Sequence, residues 1–120
     1  MAMDFDKTKI EIRYNSTDYG PFKFDFTNAI PSGTTLSSVT VKSYLGKVNP
    51  EDALASETDT SSELVDTVKT VVSSSYIVSV YFNYPTTAAY KSDVAHTLIF
   101  EITLSNSAKH AYYFYEVRVM

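Results

Sequence analysis

Neither cysteine nor tryptophan occurs in the 120 residues, and glycine occurs only three times. Without cysteine there is no disulfide framework and no thiolate metal site. With so little glycine, turns fall to Asn, Asp, Ser and Pro, which bend a chain through side-chain hydrogen bonds or a fixed φ. Basic residues are scarce too: 10 Lys and Arg stand against 14 Asp and Glu, a net charge of −4. No basic stripe is present to neutralise phosphates, so nucleic acid and anionic membrane surfaces are excluded as expected partners. No apolar run approaches the ~20 residues of a membrane span. The opening Met1-Ala2-Met3-Asp4-Phe5-Asp6-Lys7 lacks the basic-then-apolar order of a secretion signal. A Gly-x-Ser-x-Gly elbow and a Gly-rich phosphate loop are also missing, which leaves nucleophilic catalysis and nucleotide binding without a foothold.

What is abundant points to strands. Tyrosine reaches 10 residues, hydrophobic residues make up 44% of the chain, and roughly a quarter of it is Ser or Thr. Tyr, Val, Thr and Phe suit a pleated, half-buried surface. The length predicts one domain over 1–120 with a single core.

The clearest pattern lies between Val94 and Val119. Leu98, Phe100, Ile102 and Leu104 alternate with Thr97, Ile99, Glu101 and Thr103. After the polar run Ser105–Lys109, Ala111, Tyr113, Tyr115, Val117 and Val119 alternate with His110, Tyr112, Phe114, Glu116 and Arg118. Period-two alternation places successive side chains on opposite faces, and two such runs joined by a short polar connection predict an antiparallel hairpin. Upstream, shorter alternating runs predict strands over Lys9–Tyr14, Phe22–Phe26, Thr35–Leu45, Val65–Val72 and Tyr76–Phe82. About seven strands with no sustained 3.6 period read as an all-β, antiparallel β-sandwich, with a closed barrel as the competing architecture. Residues 47–63 interrupt the pattern. Six acids and no base between Glu51 and Asp66 predict a solvated, mobile acidic loop, with a short helical turn near Asn49–Ala55 where Asn precedes Pro.

The candidates for chemistry are few. Glu101 and Glu116 could face one another across the hairpin as an acid–base pair, although a surface ion pair with Arg118 or Lys109 accounts for them better. His96, His110 and Asp93 fall near one end of the predicted hairpin, but their spacing matches no metal motif and no fourth ligand is in sight. The acids of the loop lack the close spacing and the Gly of a calcium site. No cofactor is expected. A stronger signal comes from Tyr81, Tyr112 and Phe114, with Glu116 and Arg118 on the same predicted face as the last two. A strand with large apolar side chains on both faces is either central in a layered fold or part of an interface. These five residues are the candidate interface.

Three stretches carry a family likeness: Tyr19–Phe26, Ile30–Val41, and the pair His96–Thr103 with Tyr112–Val119. In this order they resemble the small immunoglobulin-like β-sandwich modules of tailed-bacteriophage virions, found in decoration, head-fibre and tail-associated proteins. The sequence departs from those modules at Asp93-Val94-Ala95 and Asn106-Ser107, where a Gly is usual, and in its longer acidic loop. The resemblance implies a non-catalytic structural protein that assembles on a capsid or tail protein, or with further copies of itself. It also implies synthesis in a host cytoplasm and residence in the virion. A carbohydrate- or cell-surface-binding module, using exposed Tyr as a stacking platform, is the alternative.

Overall fold

The computed structural model describes residues 10–14, 19–46 and 58–120, with 111–115 described in their backbone only. The alternating runs form strands β1 (Ile10–Ile12), β2 (Phe22–Asp25), β3 (Leu36–Leu45), β4 (Val71–Val72), β5 (Ile77–Val80), β6 (Val94–Leu104) and β7 (Lys109–Val119). One helical turn, α1 (Ser61–Leu64), and a 3-10 turn at Ala88–Tyr90 complete the described elements. The strands make two sheets, in the orders β1-β7-β6-β3 and β2-β5-β4. The chain is therefore all-β, as its alternation indicates.

The sheets share one core. The three Phe of the second strand run point the same way: the Phe24 and Phe26 rings lie 4.7 and 5.5 Å from Phe100, and Phe22 lies 5.5 Å from Phe82. Phe26, Phe100, Leu98, Ile102, Val78 and Val80 are fully buried. The alternating apolar residues Phe24, Val41 and Val117 are buried with them, whereas Val39 is only half-buried against the core.

β6 and β7 pair antiparallel, joined by a turn in which Ser107 N–H donates to the Leu104 carbonyl at 2.9 Å. Their register shifts once: His96 stands opposite Val117, but Leu98 stands opposite Phe114. Tyr115 and Glu116 thus share one partner, Thr97, which is a β-bulge. Unbroken alternation through β7 is corrected by this extra residue. A second correction concerns β1, which runs parallel to β7 (Ile10↔Val117, Ile12↔Val119) in a fold otherwise paired antiparallel. No hairpin links these two strands, so nothing imposes the antiparallel sense.

The expected helical turn at Asn49–Ala55, and residues 47–57 of the acidic loop, lie outside the described residues. The remainder of that loop, 58–63, is built into the fold. Asp59 Oδ1 accepts the Ser61 N–H at 2.8 Å and starts α1. The Glu63 carboxylate accepts the backbone N–H of Thr87 (2.8 Å) and Thr86 (2.9 Å) and both their hydroxyls. Hydrogen bonds from Thr87 first, and then Thr86, hold this carboxyl down at about 2.

Backbone conformation explains where glycine is and is not used. At Gly20, φ is +137° and a Cβ would lie 2.8 Å from the Val80 carbonyl oxygen, so no side chain fits. Ser92, Asp93 and Ser107 have φ of 70°, 67° and 68°. They occupy the left-handed region near the two places where the resembled modules carry glycine.

Truncating Phe100 to Ala is expected to cost about 3–5 kcal/mol in urea unfolding, the range for a fully buried Phe. Ser107→Gly is expected to stabilise by roughly 0.5–1 kcal/mol, the relief of left-handed strain less the entropy of glycine. A destabilised Ser107→Gly protein would show that the turn is held by the Ser side chain instead.

Candidate functional site

β3 is an outer strand, and β6 uses only one of its edges. In an antiparallel ladder, successive residues direct their backbone groups to alternate sides. Ser43 and Leu45 direct theirs away from β6: the Ser43 carbonyl accepts Thr60 N–H at 2.8 Å, and Leu45 N–H donates to the Thr58 carbonyl at 2.9 Å. By the same alternation, the register Val41↔Phe100 and Val39↔Ile102 turns the N–H and C=O of Val39 and Val41 to the outer edge. Among the described residues these four backbone groups have no hydrogen-bond partner, but Val41 is 5% exposed and Val39 half-buried, so the edge is unpaired yet largely covered. At the other end of β3 the edge is closed again, by Leu36 N–H donating to the Ser75 carbonyl at 2.8 Å.

A cleft of about 180 Å³ lies beside this unpaired stretch, lined by Val39, Thr40, Val41, Val65, Thr67 and Thr70. Its far wall exists because the strand expected from Val65 to Val68 does not form. Val65 makes a single bridge to Phe82. The Asp66 carboxylate then accepts the N–H groups of Val68 and Lys69 at 3.2 and 3.1 Å, and the Asp66 carbonyl accepts that of Thr70 at 3.0 Å. An Asp bonding its own backbone two and three residues on winds a turn rather than a strand. That turn leaves Val68 88% and Val71 47% exposed, two large apolar side chains close in sequence to the cleft wall.

A second polar cluster lies deep in the molecule. Ser43 Oγ and Thr60 Oγ1 are 2.7 Å apart, Thr60 Oγ1 is 2.9 Å from His96 Nδ1, and His96 Nε2 is 2.8 Å from the Tyr90 carbonyl oxygen. The carbonyl can only accept, so Nε2 carries the proton and Nδ1 accepts from Thr60. The chain then runs one way: Ser43 donates to Thr60, Thr60 to His96, and His96 to Tyr90. Ser43, Thr60 and His96 are all fully buried, which leaves a substrate no approach to them. Burial pushes the His96 pKa below its ordinary value, opposed by the bond to the Tyr90 carbonyl.

The residues singled out from sequence are dispersed. His96 and His110 do not share an end of the hairpin: His96 pairs with Val117 and His110 with Ile102, a separation of roughly 20 Å along β6. Glu101 stands opposite Ala111, whereas Glu116 stands at the bulge opposite Thr97, so the two carboxylates do not face one another. Glu116 is 8% exposed and accepts from Arg118 Nε at 2.9 Å, while Arg118 Nη1 reaches Asp93 Oδ1 at 2.8 Å. Of the candidate interface, Glu116 and Arg118 therefore come together, tied in an ion pair. Tyr81 follows β5, in the other sheet, half-buried with Lys69 Nζ 5.9 Å from its ring centre. Tyr112 and Phe114 take register positions opposite Phe100 and Leu98, and their side chains lie outside the described residues. No helix among the described residues is long and apolar enough to cross a membrane.

Sequence reasoning predicted a strand over Thr35–Leu45 but did not show that it lies at the edge of its sheet. One signal was present. Val39-Thr40-Val41 has neither charge nor proline, the usual devices that blunt an exposed edge. Compared with protein-family models, with curated proteins and with solved structures, the chain matches none.

The buried His96 sets a sign for pH dependence. Its folded pKa is lowered, so the unfolded chain binds more protons once the pH falls below the ordinary His value of 6.5. The stabilisation is complete above that value and is lost progressively as pH falls from it toward the folded pKa. Urea unfolding at pH 7.5 and 5.5 is expected to show lower stability at 5.5. In His96→Gln the difference between the two pH values should shrink; an unchanged difference would assign the effect to other groups.

Proposed function

We propose that this chain is a non-catalytic structural protein of a tailed-bacteriophage virion, an immunoglobulin-like β-sandwich that works by protein–protein assembly on a capsid or tail. The likeness of Tyr19–Phe26, Ile30–Val41 and the closing hairpin to virion modules supports the family. The paired sheets on one core support the sandwich. The observation that carries an assembly role is the unpaired outer edge of β3 at the half-buried Val39, which stands beside a cleft of Val and Thr without a partner for its N–H and C=O among the described residues. Backbone groups so placed can be satisfied by another chain. The polar residues capable of chemistry support the same reading: Glu116 is tied to Arg118, and the fully buried His96 to Thr60.

The test is co-sedimentation of the purified domain with intact particles from the same source. The domain should pellet with the particles, saturate at a fixed ratio to the major capsid or tail protein, and resist displacement by simple sugars. Retention in the supernatant at micromolar concentration would overturn the proposal. Displacement by a sugar would favour the carbohydrate-binding alternative.

A further inference from the structure

We infer that the contact between Thr60 and His96 is an acid-released latch: when His96 takes up a proton, residues 58–61 leave the outer edge of β3 at Ser43 and Leu45 while the two sheets stay paired. The opening is local, distinct from unfolding of the whole domain, and stands whether or not the chain assembles on a particle.

Polar bonds alone hold this segment on the strand. Ser43 N–H donates to Ser61 Oγ at 2.8 Å, the Ser43 carbonyl accepts Thr60 N–H at 2.8 Å, and Ser43 Oγ meets Thr60 Oγ1 at 2.7 Å. Leu45 N–H donates to the Thr58 carbonyl at 2.9 Å. Within residues 58–63 only Thr60 is buried. Apolar anchoring begins at Leu64 and Val65, both in the core, where the Leu64 carbonyl also accepts Asn83 N–H at 2.8 Å. A second tie secures the same end: the Glu63 carboxylate bonds Thr86 and Thr87, and with its pKa held at about 2 it stays ionised in mild acid. Residues 58–61 can therefore turn away from β3 about a fixed point at residues 63–65.

Protonation acts unequally on the two neighbours of the ring. The Tyr90 carbonyl accepts from Nε2 in either state, and more strongly from the cation. Nδ1 accepts from Thr60 while neutral; once protonated it can only donate, so Thr60 must turn its hydroxyl proton to Ser43 Oγ. The Ser43 hydroxyl proton then has no acceptor among the described residues, a buried donor left unmade. The imidazolium is also buried without a counter-charge. On the covering segment, Asp59 bonds Ser61 N–H and Glu63 bonds Thr86 and Thr87. On β7, Glu116 is paired with Arg118, as is Asp93 ahead of β6. Lys91, after the Tyr90 turn, lies 5.7 Å from the Tyr84 ring centre, and β3 brings only Lys42 and Tyr44 beside Ser43. Burial first, then the Tyr90 bond, governs the His96 pKa. Acid thus strengthens the Tyr90 side and breaks the Thr60 side, where water can replace the hydroxyl and hydrate the cation.

The test is amide hydrogen exchange by NMR on the full chain at pH 7.5 and 5.5, above the ordinary carboxylate range, with and without low urea. Each rate is divided by the intrinsic rate at that pH. The Thr60 and Leu45 amides should be less protected than those of Phe100 and Ile102, and insensitive to low urea, because a local opening exposes little surface. From pH 7.5 to 5.5 their opening should rise several-fold, up to about the tenfold allowed when the open segment returns His96 to its ordinary value. The rise should track the ring signals of His96 and not those of His110. In His96→Gln the side chain accepts and donates as the neutral imidazole does but takes no proton, so the pH response should vanish. If that variant fails to fold, the midpoint and urea dependence in the unaltered chain still decide. Equal protection and equal urea dependence at Thr60 and Phe100 would mean that the segment leaves only on global unfolding, and would overturn the inference. A pH response that survives in His96→Gln, or none in the unaltered chain, would do the same. So would loss of protection at the Tyr90 amide with Thr60 unchanged, which would place the release on the wrong side of the ring.

Discussion

Everything in the larger sheet is hung on β6, which is buried on one face along most of its length and on both faces at Thr97–Ile99. On the core face, Leu98, Phe100 and Ile102 are fully buried against Phe24 and Phe26. On the opposite face, Ile99 and Thr97 are 5% and 4% exposed, as is their neighbour Tyr44 at 5%. Backbone groups in so enclosed a stretch must be paired, which calls for a partner strand on each side. β3 and β7 supply them, over nearly the whole run from Val94 to Leu104. The cost of that arrangement falls on β3, which gives one edge wholly to β6 and is left with the other to satisfy.

How the second edge is met differs along the strand. Where β3 approaches the buried end of the sheet, Thr60 comes in both as a backbone donor to Ser43 and as the middle hydroxyl of the Ser43–Thr60–His96 chain. One residue thus closes the edge and satisfies a buried imidazole. Further along, the Asp66 turn winds the chain on itself and the edge stays unpaired beside it. Closure and exposure on one strand both follow from short polar side chains bonding backbone, rather than from hydrophobic pattern.

That division also explains what could be read from the sequence. Strands β2, β3, β6 and β7 and the burial of Phe24, Phe100 and Val117 follow from alternation, which is local and repeats over many residues. The bulge in β7 could not be seen. Tyr112-Tyr113-Phe114-Tyr115 is aromatic at every position and carries no phase, so an extra residue inside it leaves no mark on the pattern. The Val65–Val68 run looked like a strand because its apolar residues outnumber Asp66, although the Asp66 carboxylate decides the local geometry. Likewise Thr60 sits among acids in a stretch that reads as solvated, and its burial depends on Ser43 and His96, far away in sequence. The site at β3 was legible only as an absence of edge-blunting residues, and that absence acquires meaning once the strand is known to be outermost.

The doubled position in β7 governs where this hairpin can absorb insertions and deletions. Losing Tyr115 would leave Glu116 alone opposite Thr97 and Val117 still opposite His96, so every residue would keep its side. Losing Val117 instead would bring Arg118 opposite His96 and turn a charge toward the core. The turn at Ser105–Ala108, exposed throughout, is the other place where length can vary without rotating a strand. Natural variants of this chain that differ in length within the hairpin should therefore cluster at those two points and be missing between them.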